Sequence, residues 1–98
     1  MSTPAADEET VQLRGELVID TVRRALAMVV GTTAPTVIVD LAAVTFIDST
    51  GLRMLLDAKA TLESEGRALT VVNPTDGVKA LLSTTGTAEA LGIELDLG

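Results

Sequence analysis

At residues 48–51 the hydrophobic period of this chain switches from that of a strand to that of a helix. Before the switch, Val37-Ile38-Val39-Asp40-Leu41 and Val44-Thr45-Phe46-Ile47 are short, β-branched apolar runs. After it, Leu52, Leu55, Leu56 and Leu62 mark one stripe at helical spacing. A strand that hands over to an amphipathic helix within four residues has to bury both apolar surfaces together. That commits the segment to layered α/β packing.

The flanking segments repeat the alternation. Residues 1–9 read as a disordered lead-in and 10–98 as one domain. Thr10 to Val18 alternates apolar and polar, the pattern of a half-buried strand. Asp20 stands where a helix N-cap is expected. Val22, Ala25, Leu26 and Val29 follow on one face, with Arg23 and Arg24 opposite and Gly31 as the stop. The run Val37 to Leu41 reads as a strand buried on both faces, and Val44 to Ile47 as a further apolar piece after a short excursion. The leucine-striped helix extends from Leu52 to about Glu65 and is closed by Gly66. On its outer side Arg53 with Asp57, and Lys59 with Glu63, stand four residues apart as charge pairs. Ala68 to Val72 is another strand, and Asn73-Pro74-Thr75-Asp76 starts a helix whose inner face is Val78, Leu81 and Leu82. A helical turn at Ala88–Leu91 and an edge strand at Ile93–Leu97 complete the expectation. The predicted architecture is a single α/β domain, a mixed sheet with parallel strand pairs packed against α-helices.

Composition narrows the chemistry. The chain has 98 residues and one aromatic, Phe46, so its core must be built from Val, Leu, Ile and Ala. There is no His and no Cys, which removes imidazole acid–base catalysis, thiolate chemistry, disulfides and Cys/His zinc sites. No cofactor or metal is expected. Seven basic against fourteen acidic residues give a net charge of −7, a balance that repels nucleic-acid phosphates and anionic lipid. The longest charge-free stretch, Ala25 to Val39, has 15 residues and is interrupted by Gly31 and Pro35; a membrane span takes about 20. The small, acidic N-terminus is unlike a signal peptide. A cytoplasmic protein without nucleic-acid or membrane contacts is expected.

Asp48-Ser49-Thr50-Gly51 places two hydroxyls and a carboxylate at the mouth of a helix. In one reading Ser49 or Thr50 is simply the N-cap, with Gly51 relieving crowding. In the other, one hydroxyl accepts a phosphoryl group. The resulting charge of about −1.5 to −2 would change what the surface binds without refolding the domain.

Residues 37–52, Val-Ile-Val-Asp-Leu-Ala-Ala-Val-Thr-Phe-Ile-Asp-Ser-Thr-Gly-Leu, resemble the signature of the STAS domain, in particular that of bacterial anti-sigma factor antagonists. The resemblance takes in Gly15-Glu16-Leu17…Thr21, Asn73-Pro74 and the segment Val78…Leu82…Thr85-Gly86, and covers roughly residues 11–95. It implies a non-enzymatic regulator. In its unphosphorylated form such an antagonist occupies an anti-sigma factor that is also an ATP-dependent serine kinase, and so frees the sigma factor. Phosphorylation of the serine after the motif aspartate, here Ser49, releases it, and a serine phosphatase resets it. The implied partner surface is Asp48, Ser49, Thr50, Gly51, Leu52 and Arg53, with Gly51 serving backbone geometry and close approach of the partner.

Two departures from the family pattern stand out. Members usually open with an extra strand, for which there is little room here. They also commonly read Gly-Glu-Leu-Asp where this chain has Val18, its nearest carboxylate being Asp20. Within the same fold, the alternative is a scaffold or subunit of a stress-sensing or lipid-transport complex without regulated phosphorylation. An aspartic protease is a distant rival, since glycine comes third rather than second after Asp48. A small interaction domain without regulated chemistry is the remaining reading.

Overall fold

The computed structural model describes residues 7–91. Its elements are β1 (Glu8–Leu17), α1 (Val22–Val30), β2 (Thr36–Ile47), α2 (Ser49–Ser64), β3 (Ala68–Val72), α3 (Asp76–Thr85) and α4 (Thr87–Leu91). Among the described residues the sheet has three strands in the order β1-β2-β3, and both pairings are parallel. Parallel neighbours need a crossover, and α1 and α2 supply the two crossovers. The expected edge strand at Ile93–Leu97 lies outside the described residues, as do residues 1–6.

One cluster of buried side chains joins all three strands to the helices. Leu13 and Leu17 of β1, Val37, Val39, Leu41 and Val44 of β2, and Val71 of β3 face Val29, Leu55, Leu62 and Leu82. Leu55 and Leu62 are core residues as expected, and Leu56 is half-buried against them. The other face of β1, with Thr10, Gln12, Arg14 and Glu16, is exposed.

The two runs expected on either side of an excursion are one continuous strand, β2. Its buried residues run 37, 39 and 41, then 44, then 47, so the inward phase flips twice. Two register shifts against β1 explain the flips. Gln12 pairs with Asp40 and Arg14 with Ala43; Gly15 pairs with Val44 and Glu16 with Phe46. Each shift inserts one extra residue into β2, which in a period-two strand exchanges the faces. The second extra residue, Thr45, keeps Ile47 inside and turns Phe46 outward, to 51% exposure. The segment 37–41 is buried on one face only, because Ile38 and Asp40 on the other face are half-buried.

β1 begins at Glu8, so Glu8 and Glu9 belong to the sheet rather than to a lead-in, paired with Thr36 and Val37. Asp20 is not the cap of α1. The N-cap position is Thr21, whose hydroxyl bonds backwards: it accepts from Val18 N–H at 3.0 Å and lies 2.6 Å from the Glu16 carbonyl oxygen. The first turn is instead held by the Val18 carbonyl, which accepts from both Thr21 and Val22 N–H at 2.9 Å. At the far end of α2, Gly66 (φ 77°) takes the left-handed conformation. This lets Arg67 N–H reach the Leu62 carbonyl and Gly66 N–H reach that of Glu63, closing the helix as the sequence leads one to expect.

Candidate functional site

The site forms where the C-terminal ends of β1 and β2 meet the N-terminus of α2. Asp48 N–H donates to the Leu17 carbonyl at 3.3 Å, which fixes the end of β2 beside the end of β1. Asp48 is then the N-cap. Its Oδ1 accepts from Thr50 N–H at 2.9 Å and from Gly51 N–H at 3.1 Å, satisfying two of the free donors of the helix start. The residues expected to form a turn before the helix are therefore its first turn, and α2 starts at Ser49 rather than Leu52. A carboxylate at this position also complements the helix dipole.

Because Asp48 caps, neither Ser49 nor Thr50 does. Ser49 is exposed in the first helical position, and its hydroxyl has no hydrogen-bond partner among the described residues. Thr50 is half-buried and lines a groove between α1 and α2, together with Val22, Leu26 and Met54 on the floor and Arg23, Arg53 and Asp57 on the rim. Arg53 is exposed, and its Nε donates to Asp57 Oδ1 at 3.3 Å, one of the two expected charge pairs. Lys59 and Glu63 form the other.

Gly51 and Leu52 are turned inward. Leu52 is 5% exposed and belongs to the core. A β-carbon on Gly51 would overlap the Leu17 carbonyl oxygen and lie 2.6 Å from Ile47 Cγ1. The glycine is thus required by the close approach of α2 to the ends of β1 and β2, an internal contact rather than one with a partner. Of the six expected surface residues, Ser49 and Arg53 are exposed, and Asp48 and Thr50 are half-buried.

Two exposed apolar residues near the site were not among the expected site residues. Ile19, 74% exposed, lies in the β1–α1 loop, which leaves Leu17 directly beside the α2 N-terminus. Its signal was a large apolar residue between the end of an alternating strand and an acidic loop position. Phe46 lines a shallow groove with Thr45, Gly77, Val78 and Leu81, where β2 continues past the end of β3 and α3 lies alongside it. The side chain of Val18, at the position where an aspartate is common in the resembled family, is half-buried in the same β1–α1 loop, and Asp20 is exposed there.

This chain belongs to the STAS domain family: the family model described as Mlab, STAS domain, matches residues 1–95. No curated protein matches it. Among solved structures it is similar to the anti-sigma factor antagonist SpoIIAA in its unphosphorylated form. That match has 22% identity over 90% of this chain and 80% of SpoIIAA, with a TM-score of 0.69. It is also similar to a sulfate transporter family protein from Wolinella succinogenes, with 26% identity over 88% of this chain and 72% of that one, and a TM-score of 0.76. The SulP transporter STAS domain from Vibrio cholerae matches at 21% identity over 93% of this chain and 73% of that domain, with a TM-score of 0.73. The expected α/β STAS fold is therefore present, and its relatives in structure include both antagonist and transporter domains. Among the described residues, no helix is long and apolar enough to cross a membrane.

Proposed function

We propose that this STAS domain is an anti-sigma factor antagonist whose binding to an anti-sigma factor serine kinase is switched by phosphorylation of Ser49. The observation that carries this reading is the division of labour at the α2 N-terminus. Asp48 does the capping, and the Ser49 hydroxyl is left exposed, with no hydrogen-bond partner among the described residues. In the transfer, Ser49 Oγ attacks the γ-phosphorus of ATP held by the kinase. The bond from that phosphorus to the β-bridging oxygen breaks, ADP leaves, and the hydroxyl proton passes to a base on the kinase. Hydrolysis by a serine phosphatase cleaves the Oγ–P bond with water and releases inorganic phosphate.

The domain supplies position and charge, and the chemistry is the partner's. A dianion added beside Asp48 makes an acidic surface more so, and like charges facing a partner cost several kcal/mol. Since neither the cap nor the core contact at Gly51 involves the Ser49 hydroxyl, the modified domain keeps its fold.

A second reading, a non-phosphorylated STAS subunit of a transport assembly, is favoured by the higher TM-scores to transporter domains, 0.76 and 0.73 against 0.69. A pull-down from the source cell with wild type and Ser49→Ala, read by mass spectrometry, separates the two. The antagonist reading predicts a soluble ATP-binding kinase retained more strongly by Ser49→Ala, with phosphate on Ser49 of wild type. Recovery of a transporter subunit equally with both proteins, and an unmodified Ser49, would overturn it.

A further inference from the structure

We propose that Arg53 is a charge relay, which a phosphoryl group on Ser49 draws away from Asp57. The proposal rests on Ser49 as the phosphate acceptor and concerns what happens inside the domain after modification.

Three observations lead there. First, two N–H groups of the helix start are already taken: Asp48 Oδ1 accepts from those of Thr50 and Gly51. A phosphate on the neighbouring residue cannot use those two donors without displacing the cap, and a side-chain cation one turn on competes for it. Second, Ser49, Arg53 and Asp57 follow one another at intervals of four and are all exposed. They lie along one line of the α2 surface, where side chains four apart are neighbours. Arg53 therefore reaches either way along the helix.

Third, the present pair is weakly held. Arg53 and Asp57 meet at 3.3 Å with side chains 77% and 56% exposed. The cation also lies N-terminal to the anion, the less favourable orientation on a helix. A phosphate at position 49 reverses the orientation and adds charge. It carries about twice the charge and three acceptor oxygens, lies N-terminal to the arginine, and sits at the positive end of the helix dipole.

The other charged group lining the groove with Arg53 and Asp57 is Arg23, across it on α1, and the Asp48 cap stands at the head of the same helix. Arg23 adds to the cationic field there, and Asp48 is held by its two N–H donors. Moving Arg53 leaves Asp57 unpaired on the groove rim beside Val22, Leu26 and Met54. Phosphorylation then changes the groove as well as the turn: one cation leaves its rim and one bare carboxylate remains.

The test uses the full chain with phosphoserine installed genetically at position 49, so that no kinase is needed. The second ionisation of the phosphate is followed by phosphorus NMR in this protein and in its Arg53→Gln and Arg53→Lys variants, with circular dichroism to show the fold intact. Arg53 favours the dianion, so Arg53→Gln is expected to raise the midpoint by about 0.2–0.4 pH unit, and Arg53→Lys by less. The Arg53 Nε–H resonance, read by nitrogen NMR, is expected to move on phosphorylation, as its Asp57 partner is exchanged for the phosphate. A phosphate midpoint indifferent to Arg53, or an Arg53 Nε–H resonance unmoved by phosphorylation, overturns the relay. Failure of any kinase to modify Ser49 would sink the proposed switch while leaving this result untouched, so the two failures are distinguishable.

Discussion

The backbone of Leu17 and the α-carbon of Gly51 approach so closely that no β-carbon fits between them: one built on Gly51 overlaps the Leu17 carbonyl oxygen and comes within 3.0 Å of Leu17 Cβ. The same carbonyl accepts from Asp48 N–H. One atom of β1 therefore sets both where α2 begins and how near it lies to the sheet. Gly51→Ala is expected to push the helix start outward and to cost about 1–3 kcal/mol, the range for overpacking a core. Urea unfolding checks this, and the loss should appear in the midpoint with little change in slope.

Removing the cap should act more gently. Asp48→Ala leaves the N–H groups of Thr50 and Gly51 without their side-chain acceptor and is expected to cost about 0.5–2 kcal/mol. Asp48→Asn keeps an acceptor oxygen and should recover most of that. Thermal melts of the two variants side by side give the comparison.

Burial predicts a contrast between large apolar residues. Leu55→Ala or Leu62→Ala, at fully buried sites, should cost about 2–5 kcal/mol. That is a large part of the 5–15 kcal/mol typical of a domain. Phe46→Ala, despite removing the larger side chain, should cost well under the roughly 3–5 kcal/mol of a buried phenylalanine, because half of Phe46 is already in water. Denaturant midpoints rank the variants.

Arg67 ties the start of β3 to the loop before β2. Its Nε donates to the Ala34 carbonyl at 2.8 Å and its Nη2 to Thr32 Oγ1 at 2.7 Å, with only 13% of the side chain exposed. Arg67→Ala is expected to cost about 1.5–3 kcal/mol, the worth of hydrogen bonds from a charged donor, and Arg67→Lys most of that, since an ammonium cannot reproduce the fork. Neither variant should affect partner binding, measured by titration at a temperature where both are folded.

Most of this architecture was legible from residue order. The alternation at Thr10–Val18, the Leu55 and Leu62 stripe and the β-branched run at Ala68–Val72 mark β1, α2 and β3 because in each of them local propensity and burial agree. Where the reading failed, the cause was local chemistry with two outlets. Asp-Ser-Thr-Gly suits a turn as well as a first helical turn, and only the position of the Asp48 carboxylate decides between them. Ala42-Ala43 looks like a break in a strand, but only one residue there is extra, Ala43 pairing with Arg14, and β2 runs on past a second extra residue at Thr45. Asp20 and Thr21 both suit a helix start, and the Glu16 and Val18 backbone groups within reach of the Thr21 hydroxyl draw it back into the preceding loop. At the site, sequence located Ser49 and Arg53 on the outside. It put Leu52 both on the apolar stripe and in the partner surface, and Gly51 in the partner surface; the packing distance between α2 and the strand ends turns both inward.

The switch resides in the Ser49 hydroxyl, and the most direct measurement is to mix the purified domain with its kinase partner and MgATP, then follow intact mass and complex size together. Wild type should gain one phosphoryl group and leave the complex, while Ser49→Ala gains nothing and stays bound. Ser49→Asp should bind at least about tenfold more weakly than wild type without ATP, as facing like charges require. A wild-type domain that gains no mass and remains in the complex as firmly as Ser49→Ala would contradict the account.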